Sequence, residues 1–177
     1  EAGSQMFEFQ AGQWVYLHLL NADGTTWARA PFSVASAPQE SKESFELSIK
    51  IYGDFTKKAS DLIPDDVVAI QGPFGVFTLH EGVSPIVLFA GGIGIAPLRS
   101  IIRKLWLDRA QTEIILFYSN REVEEIAYWE EFEHIAKEWP HFHPIFIVTG
   151  IDVPSTWKGE TGRLDTAMLN RYLPDVT

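Results

Sequence analysis

The sequence predicts two successive folds in one chain, a compact antiparallel β-barrel over residues 1–82 and a doubly wound parallel α/β sheet over residues 83–177. Three observations predict them. From Phe7 to about Leu79 short runs rich in β-branched and aromatic residues are separated by turn signals. From about Ser84 strand-like runs alternate with helical patterns, the rhythm of a parallel sheet. Where that alternation begins, the stretch "FAGGIGIAPLRSI" (Phe89–Ile101) joins an apolar run to three glycines and then to an amphipathic helix.

The elements follow in order. "QWVYLHLL" has strand composition and runs into the turn signal "NADG". "APFSVASAP" and "FELSIKIYG" are further strands; in the second, Phe45, Leu47, Ile49 and Ile51 alternate with polar or charged neighbours. "FTKKASDLI" has short helical character, "PDD" breaks it, and "VVAIQGPFG" returns to strand. In the second half "PIVLFA", "TEIILFYS" and "HPIFIVTG" read as strands. The helix after the glycines carries Pro97 in its first turn, where the missing N–H costs nothing, and an apolar stripe of Leu98, Ile101, Ile102, Leu105 and Trp106. A second helix is expected from about Val123 to Trp139, with Ile126, Trp129, Phe132, Ile135, Ala136 and Trp139 on a core-facing side. A last helix, "LDTAMLNRYL", has Asp165 as its cap.

Composition narrows the function. At 177 residues there is material for one large or two small domains, and a net charge of -10 argues against a nucleic-acid partner, which requires a basic face. The chain has no cysteine, which removes disulfides, iron–sulfur ligation and thiol catalysis and fits a cytosolic compartment. No signal peptide or membrane-spanning stretch is expected. His141 and His143 have metal-ligand chemistry but no third ligand in view, so no metal is expected. There is no G-x-S-x-G nucleophile elbow, and "EVEEIAYWEEFE" reads as a solvated helix face.

The glycine stretch is the chemical signal. Gly91, Gly92, Gly94, Ile95 and Pro97 form a strand–turn–helix junction, whose free N–H groups and positive helix end attract a phosphate. The spacing Gly92-x-Gly94-x-x-Pro97 departs from G-x-G-x-x-G at its last place, and a turn required only for close packing is the competing reading. In a doubly wound sheet ligands bind at the carboxyl ends of the strands, and the loop sits at such an end.

A barrel, a nucleotide-type domain and "GPFG" at their join together resemble the ferredoxin–NADP reductase superfamily of flavin oxidoreductases over nearly the whole chain. "AGQWVYL" is similar to the family's second barrel strand, "PFSVAS" to its flavin-contacting segment, "SIKIYGDFT" to its pyrophosphate segment and "GGIGIAP" to its nicotinamide-nucleotide loop. The wording "PFSVASAP…GDFTKK" is similar to the dehydrogenase part of NADPH oxidases and ferric reductases, where heme is the acceptor. The resemblance implies FAD against Pro31 and Phe32, with the Ser33 hydroxyl near the reactive edge of the flavin as the catalytic group. It implies Lys50 by the FAD phosphates, and Gly53, Asp54, Phe55 and Thr56 offering N–H groups and a hydroxyl to the pyrophosphate.

The sequence also departs from the family. Three places before the serine, where the family has Arg or His, stands Ala30; Arg29 is one residue earlier and is expected on the opposite face of the strand. A first barrel strand and the family's final strand with its Cys-Gly-Pro segment are expected to be missing, so poor turnover is expected of the chain as it stands. At the tip of "YSNRE", Ser119 and Arg121 supply a donor and a fixed cation for a 2′-phosphate, which points to NADPH over NADH; pairing of Arg121 with Glu124 or Glu125 is the alternative. The expected function is transfer of hydride from NAD(P)H to FAD and of electrons onward to a heme, metal or other acceptor in another domain or protein, in the cytoplasm or at the cytoplasmic side of a membrane protein. A free flavin or ferric reductase, and a nucleotide-binding regulatory or electron-transfer subunit without turnover, are the alternatives.

Overall fold

The computed structural model describes residues 7–41, 44–80 and 82–173. The expectations about a first barrel strand and about the chain's end fall outside these residues. The chain divides into two compact units: one holds the chain up to Gly82 together with Ala96–Ala110, the other Val83–Ile95 and the chain from Gln111 on.

In the first unit β1 (Trp14–Leu20), β2 (Thr26–Ser33) and β3 (Val68–Phe74) form an antiparallel sheet in the order β2-β1-β3. The "NADG" turn joins the first two: Asn21 N–H donates to Thr25 O at 2.8 Å, and Asp23 Oδ1 accepts from Thr25 N at 3.0 Å. Val15, Leu17 and Leu19 alternate inward along β1 and are buried. Phe9, Val15 and Val34 form one core cluster of this unit, with Phe45, Leu47 and Ile70 packed on it.

"FELSIKIYG" is not a strand. Among the described residues it makes one antiparallel bridge, Leu47 to Val34, and Ile51 is exposed. Its alternation records one-sided burial of Phe45 and Leu47 on the core, which an extended segment achieves without a ladder of backbone partners. A short helix α1 (Asp54–Ala59) follows, as expected.

Helix α2 (Ile95–Leu107) carries Pro97 in its first turn and is bolted to the rest of the first unit by polar contacts that the apolar stripe did not announce. Arg99 Nη1 donates to Ala35 O at 3.1 Å and to Glu46 Oε2 at 2.5 Å. Ser100 Oγ donates to Ser36 O at 2.7 Å, and Gln39 Nε2 to Asp108 Oδ1 at 2.6 Å. Arg103 grips Glu40 with both ends of its fork, its Nε lying 2.9 Å from Oε2 and its Nη2 on Oε1. Such charge-assisted contacts contribute about 1.5–3 kcal/mol each.

In the second unit β4 (Ile86–Gly91), β5 (Ile114–Asn120), β6 (Phe142–Val148) and the short β7 (Glu160–Thr161) form the expected parallel sheet, in the order β4-β5-β6-β7. Helix α3 (Trp129–Glu138) packs Phe132 toward Tyr118 and Phe142, with ring centroids 6.4 and 5.8 Å apart. Helix α4 (Thr166–Tyr172) places Met168 in the cluster of Ile115, Phe117, Ile145 and Ile147. Asp165 caps it as expected, Oδ1 accepting from Met168 N at 2.8 Å.

The continuous helix expected from Val123 to Trp139 is broken. Val123–Glu125 is a single 3-10 turn, Tyr128 is left-handed at φ 63°, and α3 begins at Trp129. Ile126 meets the helical period and is buried, but from the turn rather than from the helix. Periodicity reports which side chains are buried, not whether the backbone between them is continuous.

Burial pushes the Glu40 carboxyl up, but Arg103, the Ala37 N–H and Arg99 outweigh it and hold it below its ordinary value of 4.5. A carboxylate held low stabilises the fold above its ordinary range and loses that contribution as pH falls through it. Glu40→Gln therefore lowers stability at pH 7, and the deficit against wild type shrinks as pH is taken below 4.5. Urea midpoints at the two pH values check this, and an equal deficit at both refutes it.

Candidate functional site

β4 ends at Gly91, a 3-10 turn spans Gly92–Gly94, and Ile95 opens α2. A β-carbon placed on Gly91, Gly92 or Gly94 meets no atom within 4 Å. By contrast one on Gly12 would lie 2.0 Å from Phe77 O. Gly12 is therefore glycine for packing, and the loop glycines are not. Gly92 alone of the three has a left-handed φ, 49°, so conformational strain on substitution belongs there and not at Gly94. The loop presents bare backbone outward, the surface a phosphate needs for close approach. The Ile95 side chain is fully buried and its N–H donates to Gly92 O, so its part is to close the turn.

The sheet register brings the strand tips into one row. Gly91 stands beside Ser119, and Ser119 beside Ile147. Just beyond, Thr149 N donates to Asn120 O at 2.9 Å and Gly150 N to Arg121 O at 2.8 Å. A β-carbon on Gly150 would come within 2.5 Å of Arg121 O, so that glycine fixes the backbone under Arg121. Sequence reading missed both Thr149 and Gly150; the glycine directly after the strand in "HPIFIVTG" was the available signal. Arg121 is exposed and lines a cleft of about 520 Å³ with Glu122, Glu124, Thr149, Gly150 and Asp152.

In the first unit the structure joins Phe32 to Phe55, their rings stacked with centroids 5.8 Å apart. Gly53 stands before α1 at φ 155°, a value that favours glycine. Tyr52 N donates to Thr56 Oγ1 at 2.7 Å, and that hydroxyl donates on to Gly53 O at 3.1 Å. The Thr56 proton is thus engaged in the turn, and what the segment offers an anion is the first-turn N–H groups of Asp54, Phe55 and Thr56. Lys50 and Pro31 are exposed. Phe32 is in register with Val15 and Ser33 with Trp14, so the two side chains leave β2 on opposite faces. Arg29 lies on the opposite face from Ala30 as expected, its guanidinium 4.6 Å from the Tyr16 ring centroid and 3.0 Å from Gln71 Oε1.

His141 and His143 are joined by a carboxylate. His141 Nδ1 lies 2.5 Å from Glu113 Oε1 and His143 Nε2 2.9 Å from Oε2. The hydrogen bond with His141, then that with His143, holds the Glu113 carboxyl below its ordinary value. Among the described residues no group of three side chains is placed to hold a metal ion, and no helix is long and apolar enough to cross a membrane.

Comparison with known proteins places both halves of the chain in known families. Residues 1–79 match the family described as the oxidoreductase FAD-binding domain, and residues 88–177 the oxidoreductase NAD-binding domain. The chain is 29% identical over 155 residues to the F component of the Na(+)-translocating NADH-quinone reductase of Pseudomonas paraeruginosa, covering 81% of this chain and 38% of that one. It is 30% identical over 177 residues to the CDP-6-deoxy-L-threo-D-glycero-4-hexulose-3-dehydrase reductase of Yersinia pestis, covering 96% and 49% respectively. It thus spans less than half the length of either relative. Among solved structures, the cytochrome b5 reductase domain of Ulva prolifera nitrate reductase shares the fold with a TM-score of 0.81 at 24% identity, over 97% of this chain and 72% of that one. A cytochrome P450 reductase of Amycolatopsis matches at 0.78 and 26%, over 96% and 51%.

Gly94→Val separates a ligand role from a packing role. Its β-carbon meets no protein atom and its φ is ordinary, so the melting temperature should stay within about 2 °C of wild type, the shift expected of a surface change of a few tenths of a kcal/mol. NAD(P)H should then fail to reduce bound flavin, while FAD affinity is unchanged. Unimpaired flavin reduction in a normally melting variant refutes the ligand role.

Proposed function

The chain belongs to the ferredoxin–NADP reductase superfamily, as an oxidoreductase module that binds FAD and NAD(P)H, and from that premise we propose that it takes hydride from NADPH and passes electrons to an acceptor held by another domain or protein. The observation that carries the nucleotide assignment is the glycine loop, whose three open backbone positions no packing contact explains. We assign FAD to residues 1–82 and the nicotinamide nucleotide to residues 83–177.

FAD, once bound, supplies both hydride acceptance and onward electron release. This chain's residues bind and orient. The N–H groups of Asp54, Phe55 and Thr56 receive the FAD pyrophosphate, with Lys50 contributing charge, and Phe32 packs against the flavin beside Pro31. The Ser33 hydroxyl donates toward the reactive edge of the ring. Gly91, Gly92 and Gly94 receive the NADPH pyrophosphate at the start of α2, whose first turn Ile95 and Pro97 shape, and Ser119 and Arg121 its 2′-phosphate. No side chain needs to act as a general base in a hydride step. The similarity of "PFSVASAP…GDFTKK" to the oxidase and ferric reductase branch supports a heme-bearing acceptor, and the absence of cysteine supports a cytoplasmic setting. The decisive experiment adds FAD to the purified protein and follows bleaching of the flavin band by NADPH without oxygen. A flavin that binds but is not bleached by either nucleotide refutes the proposal.

One observation favours NADH instead. Glu122, Glu124 and Asp152 share the cleft with Arg121, and carboxylates repel a 2′-phosphate while accepting hydrogen bonds from a free ribose. Arg121→Ala decides between them. If Arg121 holds the 2′-phosphate, the variant binds NADPH roughly tenfold or more weakly, the loss of a charge-assisted contact, and binds NADH as before. Titration with both nucleotides measures this, and equal losses assign Arg121 to a part they share.

A further inference from the structure

β2 and α1 hold an aromatic row that reaches beyond the residues assigned to the flavin ring and the pyrophosphate. Phe32 stacks on Phe55 at 5.8 Å, and Phe55 on Trp27 at 6.3 Å with only 21° between the ring planes. Trp27 is 41% exposed, although indole is the largest side chain a protein can bury. Lys58 Nζ lies 4.3 Å from the centroid of the Trp27 ring, so the cation covers the indole from a flexible, solvated stem. A half-exposed indole with a movable ammonium over it and an aromatic neighbour beneath is a ready stacking platform for a flat base.

The order of the row matches the order of FAD itself. Phe32 stands where the flavin ring is assigned, and Phe55 sits in the turn assigned to the pyrophosphate. Trp27 stands one ring further along, where the base follows. We propose that Trp27 is the stacking seat for the adenine of FAD, and that Lys58 leaves the indole to meet the phosphates when the base arrives. The proposal rests on the assignment of FAD to this unit. It makes Trp27 a selectivity residue, because FMN carries the same flavin ring without the adenine.

Binding constants for FAD and FMN, measured by calorimetry on wild type, Trp27→Ala and Trp27→Phe, test it. Loss of a base–aromatic stack should weaken FAD by roughly 5- to 100-fold in Trp27→Ala, leave FMN within about twofold, and be largely restored in Trp27→Phe. If Trp27 only props Phe55, FAD and FMN weaken alike, and the proposal falls; unchanged FAD affinity also sinks it. Should Trp27→Ala lose its fold by circular dichroism, Trp27→Leu keeps apolar bulk against Phe55 without a π face and must show the same split between FAD and FMN. Wild-type protein that binds neither flavin overturns the FAD assignment and the adenine seat together. Normal wild-type binding with no split overturns the adenine seat alone.

Discussion

The fastening of α2 is the constraint on which the rest depends. The glycine loop hands the chain directly to this helix, and Arg99 and Arg103, one helical turn apart, tie the helix to Glu46, Ala35 and Glu40. Arg99 is 6% exposed, and the Glu46 carboxylate and the Ala35 carbonyl help to offset the cost of burying its charge. Ser100 adds a neutral contact to Ser36 O, and Gln39 one to the Asp108 carboxylate, on the same stretch. On the proposed function, a helix held this firmly is ordered before the nucleotide arrives, so less ordering entropy is lost on binding.

The two units use backbone in opposite ways. In the parallel sheet, strand register alone aligns Gly91, Ser119 and Ile147, so residues distant in sequence reach one edge without a dedicated contact. In the antiparallel unit one short turn is shaped by a side chain, where Thr56 holds both Tyr52 N and Gly53 O. That hydroxyl shapes the turn beside the N–H groups proposed to meet the FAD pyrophosphate.

Much of the fold was legible because burial leaves a periodic trace. The strand composition of β1, the α2 stripe and the Asp165 cap are each local patterns with local causes. The errors came where burial and hydrogen bonding part company. Ile126 and Leu47 are packed as their patterns require, yet one directly follows a 3-10 turn and the other makes an isolated bridge instead of a strand ladder. The loop glycines were legible as a motif, but only the empty space around their missing β-carbons separates a ligand role from packing. Glu113 between two histidines, and Gly150 beneath Arg121, depend on pairing between strands about 30 residues apart, which no local pattern records.

Gly150 also has a consequence for how this protein can change. The space its β-carbon would take is filled by the Arg121 carbonyl, while Glu122, Glu124 and Asp152 stand around the same cleft on solvent-exposed positions. A lineage, or an engineer, can therefore exchange the charges on the walls freely, one codon at a time. The floor is closed to any larger residue unless both strand tips move together. On the proposed assignment of this cleft, nucleotide preference is free to drift through its rim, over a base that does not drift with it.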